Sequence, residues 1–226
     1  MHWPFTRAAT LRVLPFALFM ALLALRGAAP ADGSWGFDPR WLYAATVIVV
    51  GAVLAWAWRE YGELSMQNRP LAGEVALAVG VGGVVFALWI HLDAPWMRLG
   101  EPAAGFTPLD AAGRIDPVLV AFRLAGAALL VPVMEELFWR SFLMRWLERP
   151  AFEGVDPRSV GVRALIASTF VFVLAHTLWL AAAIAGLAYA WLYIRTGRLW
   201  VAVIAHAVTN AALGVWVLAT GNWAFW

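Results

Sequence analysis

The stretch Leu130-Val-Pro-Val-Met-Glu-Glu-Leu-Phe-Trp-Arg140 extends an apolar run that begins near Pro117, and it contains two adjacent carboxylates, Glu135 and Glu136. A charged side chain at the centre of a membrane helix costs about 2.5–3.5 kcal/mol on insertion scales. Carboxylates are therefore rare at this depth unless a cation pairs with them or they take part in chemistry. The stretch predicts a membrane helix that carries the functional centre of the protein.

The composition of the whole chain is that of an integral membrane protein. Hydrophobic residues make up 63% of the 226 residues, charged residues make up 13%, and the mean hydropathy is +0.76. A soluble domain has about 25% charged residues. Apolar runs that predict membrane helices lie near residues 10–26, 41–58, 71–92, 117–138, 164–194 and 199–220. The sequence predicts an all-α polytopic transmembrane helix bundle formed by a single membrane domain, residues 1–226.

The basic residues and the lack of cysteine exclude two classes of function. All sixteen basic residues are arginines, and they are scattered through short connecting segments. This distribution favours contact with the lipid bilayer over nucleic-acid binding, so no nucleic acid is expected as a partner. The chain has no cysteine, which excludes disulfides and thiol chemistry.

The apolar run from 164 to 194 predicts a short helical hairpin. A single helix of about 30 residues would be roughly 45 Å long, whereas two complete spans need about 40 residues. Arg163 precedes the run, and Arg195 and Arg198 follow it. A turn near His176–Leu180 would return both charged flanks to one side. The hairpin raises the predicted number of crossings to about 7, and its short arms are expected to be sheltered by protein.

The distribution of arginines predicts the orientation of the bundle. With this hairpin, the segments on the side of the N-terminus contain ten arginines and those on the other side contain four. The ten are Arg7, Arg12, Arg59, Arg69, Arg145, Arg149, Arg158, Arg163, Arg195 and Arg198, and the four are Arg26, Arg40, Arg98 and Arg114. Because cytoplasmic loops are enriched in arginine, the N-terminus is expected in the cytoplasm and the C-terminus in the periplasm or outside the cell.

The two adjacent glutamates are expected to have different roles. Glu136 and Arg140 are four residues apart, so they can form an ion pair on one helix face. Glu135 points about 100° away from Glu136, which leaves it available for substrate or water. The alternative is that both carboxylates only neutralise arginines at a helix end.

Two further motifs supply histidine and amide side chains within the apolar runs. Phe172 and His176 are four residues apart in the predicted hairpin, and His206 and Asn210 have the same spacing in the last run. With Glu135 they offer a base, proton carriers and hydrogen-bond donors. Structural roles are expected for other polar residues: snorkelling or local ion pairs for Glu74, His91 and Arg123, and backbone hydrogen bonds for Ser141 and Ser168.

Several hydrolytic chemistries compete for this set of side chains. A glutamate and two histidines can bind zinc, although the chain has no His-Glu-x-x-His helix. No serine lies in a Gly-x-Ser-x-Gly context. What remains is a glutamate that activates water with help from a histidine, while a second histidine and an asparagine stabilise an oxyanion.

The three motifs resemble the signature of the CAAX protease and bacteriocin-processing family. Glu-Glu-x-x-x-Arg at 135–140, Phe-x-x-x-His at 172–176 and His-x-x-x-Asn at 206–210 occur in the order found in that family. The stretch at 186–200 is also similar to the family. The resemblance covers about residues 117–215, which form the protease-like core, and leaves residues 1–116 as accessory transmembrane helices.

The resemblance implies a CAAX-type glutamate intramembrane protease of the bacterial cytoplasmic (inner) membrane, with a membrane-associated peptide or protein as substrate and no metal or other cofactor. By motif position, it implies that the catalytic residues are Glu135 and His176, which activate water, and His206 and Asn210, which hold the oxyanion. It implies supporting roles for Glu136, Arg140 and Phe172. The alternatives are a non-proteolytic membrane scaffold or bacteriocin-immunity protein of the same fold, and a zinc-dependent membrane hydrolase.

The depths of these residues test whether they can meet. Glu135 lies about 27 Å along a helix from Pro117, toward the predicted cytoplasmic side, and His206 lies about 10 Å from Leu199 on that side. His176 lies roughly 20 Å from Arg163. It is therefore expected to be too deep unless its helix begins below the membrane surface or tilts.

Overall fold

The computed structural model describes residues 6–30, 34, 36–100, 106–110 and 112–225, and its regular structure is helical. Besides single-turn helices, the described part contains α1 Arg7–Ala28, α2 Trp41–Ala57, α3 Ala72–Trp89, α4 Pro117–Glu148, α5 Val162–Leu174, α6 Trp179–Thr196 and α7 Leu199–Thr220. Five of them, α1 to α4 and α7, are long and apolar enough to cross a membrane, and α5 is a shorter apolar helix. The predicted polytopic all-α bundle is confirmed.

Polar contacts at one end of the bundle, here called the basic end, connect all seven helices or the segments next to them. The contacts join Arg7 to Glu60, Glu74 to Arg198, Glu148 to the Gly161 backbone and Arg158 to the Thr196 backbone. Consecutive helices therefore run in alternating directions. The segments at this end contain the ten arginines for which the cytoplasmic side is predicted.

The predicted hairpin is present and turns within the predicted stretch. Helix α5 ends at Leu174 and α6 begins at Trp179. The turn is braced by the segment after α3: the Leu99 backbone N–H donates to the Thr177 carbonyl at 2.7 Å, and the Trp179 indole donates to the Trp96 carbonyl at 3.1 Å. The short arms of the hairpin are thus covered by protein at their tip, as a polar turn between apolar helices requires.

Helix α4 is longer than its apolar pattern predicts. The prediction that this span ends near 138 is wrong, because the helix continues to Glu148. Arg140 and Arg145 look like the charged end of a span, but both are buried. Arg145 donates to the carbonyls of Ser141 at 2.6 Å and Val155 at 3.3 Å, so its polar hydrogens are satisfied inside the fold.

The true end of α4 removes the difficulty with the depth of His176. The Gly161 N–H, directly before α5, donates to the Glu148 carboxylate at 2.9 Å. The end of α4 and the start of α5 therefore lie at the same height in the bundle. Glu135 and His176 then lie at similar heights of about 20 Å above that level. The helix carrying His176 therefore begins below the level inferred from the apolar pattern.

A close approach of two helices fixes α3 against α7. A Cβ added at Gly82 would lie 2.4 Å from the Ala205 carbonyl oxygen, so any larger residue would collide with the backbone of α7. Across the same contact the Thr209 hydroxyl lies 2.9 Å from the Gly82 carbonyl oxygen. Glycine lets two backbones approach closely in a membrane bundle. Helix α3 is therefore held directly against the helix that carries His206 and Asn210.

A buried ion pair at the basic end ties α1 to the segment between α2 and α3, and hydrogen bonds to Ser141 connect this pair to α4. Arg12 donates to both carboxylate oxygens of Glu63 at 2.8 and 2.7 Å and to the Ser141 hydroxyl at 3.1 Å. The Ser141 hydroxyl donates to Glu63 and accepts from Arg145, so the prediction that it bonds to a backbone carbonyl is wrong. Ser168 donates to the Leu165 carbonyl as predicted. Burial raises the pKa of Glu63, but the hydrogen bonds and charge of Arg12 outweigh burial and hold that pKa below its ordinary value.

Candidate active site

The two adjacent glutamates occupy different environments. Glu136 is fully buried, and its Oε1 accepts from Arg140 Nη1 at 3.1 Å and from His206 Nδ1 at 2.9 Å. Glu135 is only partly buried and lines a cavity, here called the central cavity. The predicted ion pair between Glu136 and Arg140 is present. The hydrogen bond from His206 to the same oxygen adds a third member that the spacing did not predict.

Arg140 is held on every side by protein. Besides the carboxylate, its guanidinium donates to the Gly186 carbonyl at 3.3 Å. The same group lies 4.6 Å from the ring centre of Phe172 and 5.5 Å from that of Tyr189. These rings contribute cation–π attraction where water is excluded. Phe172 therefore packs on the arginine that pairs with Glu136.

The central cavity brings the predicted catalytic residues together. Its volume is about 220 Å³. Its lining consists of Trp89, Ala127, Val131, Glu135, Phe172, His176, Ala185, Tyr189, His206, Thr209, Asn210, Leu213 and Phe225. A water needs only about 10–15 Å³ of such volume, so the cavity has room for several waters or for part of a peptide. Among its described lining residues, Glu135 supplies the one carboxylate.

The indole of Trp139 orients the carboxylate of Glu135. Trp139 Nε1 donates to Glu135 Oε2 at 3.2 Å, one helical turn away on α4. Trp139 is buried, and its ring packs edge-on against Phe172 with centroids 5.5 Å apart. The carboxylate thus has a fixed neighbour on one side and the cavity on the other, which leaves its remaining lone pairs available to a water or substrate.

The histidine of the hairpin presents a defined nitrogen to the cavity. His176 Nδ1 lies 2.8 Å from the Phe172 carbonyl oxygen. A carbonyl can only accept, so Nδ1 carries the proton and Nε2 is the nitrogen left for other partners. The His176 ring lies 4.3 Å from the Phe172 ring and 5.9 Å from the Trp89 ring, centroid to centroid. These contacts restrict how the imidazole can rotate.

A π-helical segment of α4 positions Asn210. In the segment Gly126–Leu130 the Val131 N–H bonds to the Gly126 carbonyl, and the next residue, Pro132, has no N–H to donate. The Ala127 carbonyl is left to another donor, and Asn210 Nδ2 donates to it at 2.9 Å. An amide nitrogen has two hydrogens, so one remains for a second acceptor in the cavity. Such π-bulges occur frequently at functional sites.

His206 is held from behind by side chains of α6 and α7. The Tyr189 ring stacks on the His206 ring, with centroids 5.0 Å apart and an interplanar angle of 18°. The Tyr189 hydroxyl donates to the Thr209 hydroxyl at 2.8 Å. Because Nδ1 of His206 bonds to Glu136, its Nε2 is the nitrogen that is free to meet a ligand.

Four lining residues with aromatic or hydroxyl side chains have no counterpart in the sequence-based site: Trp89, Tyr189, Thr209 and Phe225. Tyr189 lies within the stretch 186–200 that resembles the family, so its spacing from the last motif was a usable signal. Trp89 lies at the end of an apolar run, where tryptophan is normally a residue of the membrane interface. No signal in the sequence separates it from the other interfacial tryptophans.

The polar residues predicted to be structural have partners outside the cavity. Glu74 forms an ion pair with Arg198 at 2.8 Å and accepts from the Leu71 N–H at 2.8 Å, and His91 Nδ1 lies 2.6 Å from the Ala87 carbonyl oxygen. Arg123 is buried rather than snorkelling, and its guanidinium lies 4.5 Å from the Phe106 ring centre. None of these three residues lines the central cavity as described.

Possible metal ligands are few in the described ranges. There, no group of three or more histidine, aspartate or glutamate side chains is placed to hold a metal ion. A catalytic zinc site uses three protein ligands as a rule. The zinc-dependent alternative therefore has no such ligand set in that part of the chain.

Comparison with known proteins agrees with the resemblance inferred from the motifs. Residues 117–212 match the family model described as Type II CAAX prenyl endopeptidase Rce1-like. The match spans all the motif residues, from Glu135 to Asn210, that surround the central cavity or support it. Comparisons with curated proteins and with solved structures yield no match.

Proposed function

We propose that this chain, whose residues 117–212 form an Rce1-like segment, is an intramembrane endopeptidase that hydrolyses a peptide bond of a membrane-associated substrate. At the family level, the match supports a CAAX-type protease and therefore a hydrolase. The observation that carries the proposal is the central cavity. It combines one accessible carboxylate, Glu135, with His176, His206 and Asn210, each held by a different backbone or side-chain partner.

Glu135 and His176 activate water in the proposed reaction. Glu135 takes a proton from a water molecule while the water oxygen attacks the carbonyl carbon of the scissile bond. His176, with Nδ1 bonded to the Phe172 carbonyl, presents Nε2 as an acceptor that helps to orient this water. The proton then passes to the leaving nitrogen as the carbon–nitrogen bond breaks. Such general acid–base catalysis contributes about 10²- to 10⁴-fold in rate.

His206 and Asn210 stabilise the oxyanion in the proposed reaction. The second amide hydrogen of Asn210 is available because the first bonds to Ala127. His206 uses Nδ1–H for Glu136, so its Nε2 can donate only when the ring is doubly protonated. The Glu136 carboxylate accepts this hydrogen bond and so fixes the orientation of the His206 ring. Glu136 therefore supports catalysis through His206, and Arg140 balances the remaining charge.

The distribution of arginines supports the proposed setting. The basic end faces the cytoplasm of a bacterial cell, because arginine-rich segments remain on that side of the inner membrane. Glu135 then lies about 20 Å from that end, within the bilayer. A substrate must reach it along the membrane, which agrees with a membrane-associated peptide or protein. The reaction as proposed requires no metal or other cofactor.

Comparative proteomics of membrane fractions tests the proposal. Cells carrying Glu135→Ala should accumulate an uncleaved membrane protein that cells with the parent chain process. Glu153→Ala, which changes an exposed glutamate at the basic end, serves as the matched control and should leave processing intact. Identical membrane proteomes for parent and Glu135→Ala, at equal levels of inserted protein, would favour a non-proteolytic scaffold instead.

A further inference from the structure

The central cavity has two chemically different parts. The polar part holds the side chains proposed to react: Glu135, His176, His206 and Asn210. The apolar part, here called the apolar wall, includes Trp89, Ala127, Val131, Leu213 and Phe225. The apolar wall contains no charged or hydrogen-bonding side chain apart from the indole N–H of Trp89. A group that enters the cavity can therefore contact both the reacting side chains and hydrocarbon.

The largest side chains of the apolar wall come from outside the Rce1-like segment. Trp89 belongs to α3, whereas Leu213 and Phe225 follow residue 212, where the family match ends. The proposed chemistry is thus supplied by the matched segment, and the largest side chains of the apolar wall are supplied by the rest of this chain. Such a division is expected when related proteins perform one reaction on different substrates.

Trp89 is fixed over the reacting residues by the packing of its helix. It is the last residue of α3, and its ring meets the His176 ring edge-on, with an interplanar angle of 77°. The close contact at Gly82 and the hydrogen bond from Thr209 prevent α3 from sliding along α7. The indole therefore keeps its position relative to His176 and can act as a rigid wall.

Phe225 reaches the cavity because the chain turns back after α7. Gly221 ends the helix with φ of 72°, and its N–H bonds to the Val217 carbonyl at 2.8 Å. The following turn packs the Phe225 ring edge-on against Trp216, with centroids 5.3 Å apart. The phenyl ring is thereby directed to the same cavity as Trp89.

We propose that Trp89 and Phe225 form a subsite for a large apolar side chain of the substrate next to the cleaved bond, with Trp89 as the specificity-determining residue. The inference rests on the proposed function. A volume of about 220 Å³ lies below the 300–1,000 Å³ that small-molecule sites usually have, so the cavity suits one side chain and the backbone next to it. A charged side chain would lose its hydration against this wall without gaining a partner. An apolar side chain would gain buried area there.

Peptides that differ at one position test the subsite in two separate measurements. The probes are fluorogenic, acetylated pentapeptides with Ala, Leu, Phe, Asp or Arg at the position before the cleaved bond. Cleavage is measured with the full-length parent in detergent, and binding is measured with the full-length Glu135→Gln variant. Leu and Phe peptides should exceed the Ala peptide by about tenfold or more in kcat/KM and in affinity, as expected for added apolar groups in a pocket.

Variants of Trp89 decide whether the preference comes from this residue. Trp89→Ala should reduce the preference for Leu and Phe over Ala to nearly one, and Trp89→Phe should retain most of it. Phe86→Ala is the matched control, since Phe86 lies on the same helix and is not among the described lining residues. An unchanged preference in Trp89→Ala, equal binding of the Asp and Leu peptides, or no binding of any peptide would overturn the subsite.

The two measurements separate failure of the subsite from failure of the proposed function. Binding of Leu and Phe peptides that depends on Trp89, without cleavage by the parent, would support the subsite and count against hydrolysis. Cleavage by the parent with a preference that does not depend on Trp89 would support hydrolysis and overturn the subsite.

Discussion

Replacing Glu136 with glutamine should destabilise the protein strongly, because it leaves a buried guanidinium without its counter-charge. The side chains of Glu136 and Arg140 are 0% and 3% exposed. Removing one partner of such a pair costs about 3–5 kcal/mol. Glutamine keeps the shape and one acceptor oxygen, so we expect the lower end, about 3 kcal/mol. For a domain of this length, about 2–4 °C of melting temperature corresponds to each kcal/mol. The expected fall is therefore roughly 6–12 °C.

The assay is thermal unfolding of purified protein in detergent, combined with a double-mutant cycle. Arg140→Leu alone should cost a similar amount, because it leaves the Glu136 carboxylate buried with only His206 as partner. The double variant should be clearly more stable than the sum of the two losses predicts, since neither charge is then left alone. Arg149→Leu is the control, because Arg149 is exposed and its one described hydrogen bond goes to the Gly154 carbonyl.

Two results would refute this reasoning. Melting temperatures of Glu136→Gln and Arg140→Leu within about 2 °C of the parent would show that the pair carries little stability. Strictly additive effects in the double variant would show that the two side chains do not interact as their 3.1 Å contact implies.

Three further predictions concern packing, pH dependence and the π-bulge. Gly82→Ala should lower the free energy of unfolding by about 1–3 kcal/mol, because the added Cβ collides with the backbone of α7. Gly83→Ala, which faces open space, should change it little, and equal melting temperatures for the two variants would contradict the packing of α3 on α7. Because its folded-state pKa is lowered, Glu63 contributes its full stabilisation above the ordinary glutamate pKa of about 4.3, and this stabilisation is lost as the pH falls through the lower folded-state pKa. Thermal melts from pH 3 to 7 should show this loss in the parent and not in Glu63→Gln. Pro132→Ala restores an N–H that can bond to the Ala127 carbonyl and so competes with Asn210 for this acceptor. Cleavage should fall about tenfold without loss of melting temperature. Unchanged cleavage would show that the π-bulge does not position Asn210.

The helical scaffold was largely predictable because its signals are local. Runs of apolar residues define the long helices, and charges on both flanks of 164–194 indicate a hairpin whose turn is observed between Leu174 and Trp179. The pairing of Glu136 with Arg140 also follows from spacing alone, since residues four apart share a face of an α-helix. Both are properties of one helix or one turn, which sequence periodicity reports directly.

The features that were not predictable depend on contacts between distant segments. Arg140 and Arg145 resemble the end of a membrane span, and only their buried partners show that α4 continues to Glu148. The bond from His206 to Glu136 and the approach of Trp89 to His176 join residues that are remote in sequence. Apolar patterning specifies which residues face inward, but it does not specify which of them meet.

The rate at which purified Glu135→Gln cleaves a peptide that the parent cleaves is the most direct test of the central claim, that Glu135 alone of the two glutamates carries the chemistry. The substitution removes the proton acceptor but leaves the Glu136 pair intact. We expect cleavage to fall by about 10²- to 10⁴-fold, while the melting temperature stays within about 2 °C of the parent, since Glu135 is only partly buried and receives a single described hydrogen bond. Cleavage by Glu135→Gln at the rate of the parent would show that Glu135 is not the proton acceptor.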